Sequence, residues 1–418
     1  MRLLTIIFLQ LFLLYSSLYA QESSGFQFTG FIEVENKIYF KQVNPDYVDN
    51  GRNQVMFFLK SRVVPRERTN FLSAIEVRYD EVNPARNHFC LKEAYIYYKM
   101  DSFDLRIGKQ IYAWGKADSI NPTNNLNPID YSDFLDTDGE EIGVVSIEGK
   151  YYLKRWTFEW IIIPTFETNI FPAYNSRWNI FPKLLISLPA QVKKPPNKID
   201  NTQFAGRILS SFNGWDFSVS YYKGFDKFPS MFVNLDNNSN PSSVLLEYRK
   251  LQVIGGDFAT SFDKVGIRGE AGYFITDDFN GRIPEVSDPY FLYVLGVDYN
   301  FNLIRNQNLY VLCQWIQNFS LPKQSGSTSL EGDLKRLFQK MVMVKGDWNF
   351  TDYTKFSLQE IWRPHENDMF LQTIFSSNLS DGLTFEIGMD LFYGKSGSFF
   401  ESFNDNQRAF VKLKYSFQ

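Results

Sequence analysis

The sequence is poor in the residues that most enzyme and metal chemistry requires. Its 418 residues hold two cysteines, Cys90 and Cys313, and two histidines, His88 and His365. Two cysteines do not make a disulfide framework, even in an exported protein. Two histidines far apart, each in a loop-like stretch, exclude a histidine-based metal cluster, and no cofactor is expected. There is no Gly-x-Ser-x-Gly elbow to set a nucleophile on a sharp turn, so no enzyme activity is expected. The net charge is −4 and no basic stripe offsets it, which argues against nucleic acid as a partner. Beyond residue 20 no apolar run approaches the ~20 residues of a helical membrane span. No region sustains a helical period.

Aromatic side chains, by contrast, are plentiful, at 17% of residues. Mean hydropathy is nevertheless slightly negative. Many aromatics, a polar average and no helical span fit alternating strands with aromatic girdles at two interfaces. Residues 1–20, MRLLTIIFLQLFLLYSSLYA, read as a secretory signal peptide. Arg2 supplies its positive start, Leu3 to Leu14 its apolar core, and Ser16, Ser17 and Ala20 the small residues before a cut at Gln21. Residues 21–418 then form a single barrel domain that has left the cytosol.

Period-two alternation runs through most of that domain. In 409–418, AFVKLKYSFQ, Ala409, Val411, Leu413, Tyr415 and Phe417 share one face, and Phe410, Lys412, Lys414 and Ser416 the other. Similar strands follow one another from 26–40 to 408–417, about 18 in all, the count expected of a membrane barrel being even. They include 104–114, 141–153, 334–350 and 244–262, the last with a phase that breaks at Arg249-Lys250 and again at Gly255-Gly256. A bulge or an extension beyond the membrane would explain the breaks. A charge facing lipid at mid-depth costs ~2–4 kcal/mol for Arg or Lys. The charged phases should therefore face the lumen: Lys60, Arg62, Glu76, Arg78, Glu93, Arg106, Gln110, Arg268, Glu270, Lys345, Asp347, Lys412 and Lys414. Both signs occur, so the wall alone is expected to give only modest ion selectivity.

Connections alternate in length. Short turns such as Lys154-Arg155, Asn213-Gly214 and Asp263-Lys264 alternate with long loops at 41–52, 115–140, 167–202, 224–243 and 394–407. Short periplasmic turns and long extracellular loops are the pattern of a transmembrane antiparallel outer-membrane β-barrel. Closure removes the strand edges that hydrocarbon cannot satisfy. The outer membrane is the expected location. The expected partners are its lipid and, through the C-terminal strand, the barrel-assembly machinery.

One segment stands apart. Residues 104–138, DLRIGKQIYAWGKADSINPTNNLNPIDYSDFLDTD, put Arg106, Gly108, Gln110, Tyr112 and Trp114 on one strand face, then enter a loop with two Asn-Pro pairs. Gly108 would let a loop or side chain approach the wall closely. Proline fixes φ and holds the preceding residue extended, so this polar loop is expected to be ordered and folded into the lumen. A stiff surface loop is the alternative. Trp114, Asp118, Asn121, Pro122, Asn127, Pro128 and Asp130 are its candidate constriction residues, with Trp114 and Tyr131 offering ring faces to a partly apolar solute. Asp133, Asp136, Asp138, Glu140 and Glu141 are oxygen ligands of the kind Ca²⁺ takes, although their spacing matches no EF-hand.

The same stretch resembles an uncharacterised family of outer-membrane porin-like barrels, loosely similar to the alginate-export porins. The resemblance rests on Arg106, Gly108, Gln110, Trp114, Gly115, Asn127, Pro128 and Asp130. It implies an 18-stranded barrel. Lys109 stands where the motif usually has a second arginine, and a lysine cannot reproduce an arginine fork. The expected function is a porin-like channel for a small or oligomeric polar solute. The alternative is a structural or accessory barrel in an outer-membrane or surface assembly, with an envelope protein as partner. Aromatics and prolines in the long loops (Phe166, Phe171, Pro172, Tyr174, Trp178, Pro182) keep that alternative open.

Overall fold

The computed structural model describes residues 25–43, 47–118, 120–133, 135, 141–173, 175–179, 188–303, 307–320 and 340–418. The leader at 1–20 lies outside them, as do Asp136, Asp138 and Glu140 of the acidic run, Tyr174, Pro182, residues 321–333, which read as a further long connection, and the first residues of the strand expected over 334–350.

Eighteen antiparallel strands form a single closed sheet. In chain order they are β1 (Phe26–Tyr39), β2 (Arg52–Arg66), β3 (Thr69–Asp80), β4 (His88–Lys99), β5 (Phe103–Gln110), β6 (Val144–Leu153), β7 (Trp156–Ile163), β9 (Gln203–Phe212) and β10 (Trp215–Phe225). They continue with β13 (Lys250–Phe262), β14 (Val265–Thr276), β15 (Tyr290–Asn302), β16 (Asn308–Ser320), β17 (Met341–Asn349), β18 (Thr354–Arg363), β19 (Asp368–Ser380), β20 (Leu383–Tyr393) and β21 (Arg408–Phe417). Each pairs with its successor, and β1 pairs back onto β21 from Gly30 opposite Phe417 to Tyr39 opposite Arg408. Three further strands among the described residues, β8 (Ala190–Lys193), β11 (Ser230–Leu235) and β12 (Pro241–Glu247), build a small separate sheet from two long loops.

The alternation read from the sequence is the inside–outside order of the wall. Val34, Val55, Phe71, Ile107, Ile147, Ile208, Val219, Leu295 and Leu413 are exposed on the outer face. Glu33, Glu35, Glu76, Asp104, Glu148, Glu159, Asp257, Asp390 and Arg408 are buried on the inner one. A soluble protein shows the reverse order; apolar outside and charged inside suits a wall with lipid around it. At one end the turns are tight, with Lys154, Asn213 and Asp263 in the left-handed region at φ 55°, 51° and 53°. At the other end lie the long loops.

Three expectations are corrected. The strand expected over 104–114 stops at Gln110, and Tyr112 and Trp114 belong to the loop. The strand expected over 141–153 begins at Val144, with Glu141 in an isolated bridge to Ile129. The segment 244–262 is two strands: β12 ends at Glu247 in the small loop sheet and β13 starts at Lys250 in the barrel. The phase break at Arg249-Lys250 is this handover. Gly255-Gly256 is no bulge, since β13 pairs continuously with both neighbours there. Gly108 sits at φ 136°, and a side chain there would collide with the Ala94 carbonyl of the adjacent strand.

Closure can be tested covalently. Val34 and Leu413 are directly opposed across the β1–β21 seam, and both face outward. With Cys90 and Cys313 replaced by serine, oxidation of the Val34→Cys/Leu413→Cys chain should circularise it and shift its mobility on a non-reducing gel, because directly opposed residues lie within disulfide reach. Val34→Cys paired with Ile387→Cys, one strand further on, should not react. The opposite pattern would mean an open or differently registered sheet.

Candidate functional site

The loop between β5 and β6 crosses the lumen, and its path is set by hydrogen bonds at its foot. The Tyr112 N–H turns from the ladder and donates to Asn127 Oδ1 at 2.7 Å. Asn127 Nδ2 donates to the carbonyls of Ile142 at 2.8 Å and Gln110 at 3.3 Å. One asparagine thereby joins the outgoing and returning legs and satisfies backbone groups that leave the sheet. β5 ends where this substitution begins.

From that foot the loop reaches β14. Glu270 is 3% exposed, and its carboxylate accepts from the N–H groups of Lys116 at 2.9 Å, Ala117 at 3.2 Å and Thr123 at 2.8 Å, and from the Thr123 hydroxyl at 2.8 Å. Asn121, with its amide turned to satisfy both of its ends, adds a further donor at 3.1 Å. A buried carboxylate surrounded by backbone donors is stable because charge-assisted hydrogen bonds replace its water. Asp118 of the same loop accepts from Arg268 Nη1 at 2.8 Å and from Gln314 Nε2 of β16 at 2.9 Å. The wall beneath is flattened for contact. Gly255 and Gly272 are cross-strand partners, and a methyl group on them would lie 2.7 Å from Thr123 Cγ2 and 3.1 Å from the Pro122 carbonyl oxygen.

The far leg of the loop docks on the opposite wall. Asp133, 1% exposed, meets Arg52 of β2 at 2.7 Å and Arg408 of β21 at 2.6 Å. Arg408 also reaches Asp390 of β20 at 2.6 Å, and Arg52 and Lys37 reach Glu35 at 3.1 and 3.3 Å. Such a cluster survives burial because its charges are matched and hydrogen-bonded. Asp133 was weighed above as a calcium ligand. Its oxygens are instead committed to arginines, which repel a cation. β14 and β16 stand across the closed sheet from β2 and β21, so the loop spans the lumen.

Apolar packing fixes the loop's middle. Tyr112, Trp114 and Leu126 are buried against Ile161, Ala205, Val253, Phe274, Leu312 and Met343 of the wall. Each buried large side chain contributes about 1.5–3 kcal/mol. The Arg207 guanidinium covers the Trp114 ring at 4.8 Å, and Tyr131 packs with Phe171 and Phe228 at 6.2 and 5.5 Å. Trp114 therefore offers no open face to a solute in this arrangement. Pro122 and Pro128 are buried too, and Asp130 bridges in parallel to Ile170.

The charged wall residues largely pair with one another. Lys60 lies 3.5 Å from Glu93, Lys345 3.7 Å from Asp347, and Lys412 and Lys414 3.8 and 4.0 Å from Glu33. Arg106 binds Glu148 at 2.6 Å, Arg62 donates to Asn70 at 3.0 Å, and Arg268 also holds Asp298. Glu76 collects Arg78 at 3.0 Å, His88 at 2.9 Å and Lys92 at 4.0 Å. Gln110 lies buried against the Ser146 hydroxyl at 3.2 Å, so it and Glu270 sit beneath the loop and face no water. Arg52 and Arg408 were not among the expected site residues. Their phase shows them: Arg52 is in step with Lys60 and Arg62, and Arg408 with Lys412 and Lys414.

Other long loops fold over the same mouth. Arg177 donates from its backbone to Asp49 at 2.9 Å and from Nε to Asn406 at 2.9 Å, and stacks 3.6 Å over Tyr39. Burial pushes the Asp49 carboxyl up. Trp178 packs on Phe392 and Phe403 and donates to the Tyr39 hydroxyl at 3.0 Å. Phe166 meets Phe225 and Tyr248 at 5.5 and 5.1 Å. Lys227 donates to the Asn125 carbonyl at 2.6 Å, which joins the loop after β10 to the tip of the lumen loop, and burial pushes its pKa down to about 8. The loop aromatics described here are thus taken up by contacts within the chain.

A family model described as a protein of unknown function, DUF1302, matches residues 36–144, well under half of the chain but including the β5 motif and the lumen loop. No curated protein matches the sequence. Among solved structures, a loop-deletion mutant of OmpT, an outer membrane protein of Vibrio cholerae, aligns with 95% of this chain and 100% of its own at 8% identity and a TM-score of 0.46. A mutant porin of Rh. blastica aligns with 94% of this chain and 100% of its own at 12% identity and a TM-score of 0.43. At such scores nothing about this chain is argued from either, and neither bears on a likeness to alginate-export porins. The closed eighteen-strand ladder is shown by its own pairing, and the sequence is similar over its β1–β6 region to a family whose function is not known.

Proposed function

We propose that the protein is an outer-membrane, porin-like channel for small polar solutes, with the loop between β5 and β6 as its constriction. The observation that carries this reading is the loop's attachment to both sides of the lumen, to Glu270 on one wall and to Arg52 and Arg408 on the other. A wide barrel conducts without discrimination unless something narrows it. The apolar outer belt supports a place in lipid, and its partners would be that lipid and, through β21, the machinery that inserts barrels. Solute would pass along the margin of the loop, where Asp118, Arg268, Lys60 and Lys345 remain accessible to water. A second reading, a plugged barrel serving a surface assembly, is favoured by one observation: the dry packing of Tyr112, Trp114 and Leu126 against the wall.

Planar-bilayer recording separates the two. Replacing residues 118–130 by a short Gly-Ser linker should raise single-channel conductance and abolish discrimination among solutes in liposome swelling. A folded deletion chain with unchanged conductance would favour the plugged barrel.

The two attachments should differ in strength. Glu270→Gln keeps the shape but turns an amide N–H₂ toward backbone donors; a loss of about 2–3 kcal/mol is expected, with a noisier, larger open level. Asp133→Asn leaves two buried guanidiniums short of charge, and about 3–5 kcal/mol should be lost. Urea unfolding in lipid vesicles measures both. A smaller loss for Asp133→Asn than for Glu270→Gln would show that Asp390 and Glu35 suffice for the arginines.

A further inference from the structure

We infer that the passage beside the lumen loop selects small anions. The inference rests on the channel reading above and adds to it a substrate class. The wall carries both signs, yet its ion pairs are oriented. Lys60 is 40% exposed and its partner Glu93 14%. Lys345 is 39% exposed against 18% for Asp347, and Lys414 38% against 6% for Glu33. The same order holds for Arg106 and Lys150 against the buried Glu148. In each pair the acid sits against the wall and the base faces water.

Side-chain length explains the order. A carboxylate on a short stem stays at the wall among backbone and neighbouring donors, while lysine extends its stem along the wall and keeps its ammonium in water. At separations of 3.5–4.0 Å these ammonium groups contact their acids only loosely, and each has three donors. A passing anion therefore finds donors to bind, and a passing cation finds its carboxylates already covered.

The cations also surround the path. Lys60 and Arg62 stand on β2, Lys414 on β21, Arg106 on β5, and Arg268 and Lys345 across the lumen on β14 and β17. From far away each pair nearly cancels. Within a Debye length of ~8 Å at physiological salt, the nearer charge dominates. The loop forces ions into that range, and low-dielectric walls concentrate the field. Four paired acids depart from the order: Asp118, 36% exposed but bound by Arg268 and Gln314 through one oxygen, and Asp101, Asp277 and Glu366, which lie at strand ends and turns beyond the wall.

Reversal potentials of the full chain in planar bilayers across a KCl gradient test this. Chloride should be preferred to potassium severalfold. The combined Lys60→Gln, Lys345→Gln and Lys414→Gln chain uncovers Glu93 and Asp347 and removes one of the two lysines at Glu33, which keeps Lys412, and its preference should fall to unity or reverse while conductance persists. Lys345→Gln alone should move the ratio part of the way and does not depend on the triple variant folding. A native chain that conducts but prefers potassium overturns the anion assignment and leaves the channel standing. A ratio unmoved by the folded variants overturns it as well. Folded protein with no conductance overturns the channel reading and this inference together.

Discussion

A sheet with an apolar outer face cannot leave a strand edge unpaired there, because apolar surroundings offer its N–H and C=O groups nothing. The pairing of β1 with β21 is where that requirement is met, and it joins the two ends of the chain. Bringing them together carries the largest loop-closure entropy of any pairing in the sheet. The buried ion cluster lies on this seam. Glu35 and Lys37 come from β1, Arg52 from β2, Asp390 from β20 and Arg408 from β21, and Asp133 of the lumen loop completes it. The docking of the loop and the closing of the barrel are therefore one set of contacts.

Closure also creates the interior that the loop occupies. Apolar side chains on the inner faces of β7, β9, β13, β14, β16 and β17 would line water without it. Tyr112, Trp114 and Leu126 cover them, while Glu270 holds the backbone between. The two Asn-Pro pairs lower the entropy the loop loses on docking. The flat patch at Gly255 and Gly272 lets Pro122 and Thr123 lie close enough for Glu270 to reach. Wall and loop are complementary at the level of single atoms. A loop docked so closely constrains any passage to its margin.

The fold was largely legible because its determinant is local. Inside–outside alternation is a period-two property of each strand, and a one-residue slip would turn every inward charge to the apolar outer face. The strand count, the alternation of short and long connections and the inward phase of Arg62, Glu76, Arg268, Lys345 and Lys412 all follow from it. Errors fell where local pattern gave no information. Tyr112 and Trp114 continue the β5 phase and face inward as expected, yet the ladder stops at Gln110 because Asn127, distant in sequence, takes the Tyr112 N–H. The segment 244–262 read as one strand because β12 and β13 both alternate, with only Tyr248-Arg249 between them.

By itself the sequence determined that the chain alternates in polarity, closes as a barrel and carries a stiff polar loop after β5. Only the tertiary structure decided what each charge does. Glu270 read as one more wall carboxylate and holds five loop donors; Asp133 read as one of an acidic run and joins Arg52 and Arg408. The sequence showed both signs along the wall, and the structure placed most of the paired acids behind their bases. The reason is physical. Alternation is set by each residue's own side of the strand, whereas the partner, the burial and the water-facing end of a charge depend on side chains brought together from strands far apart in the chain.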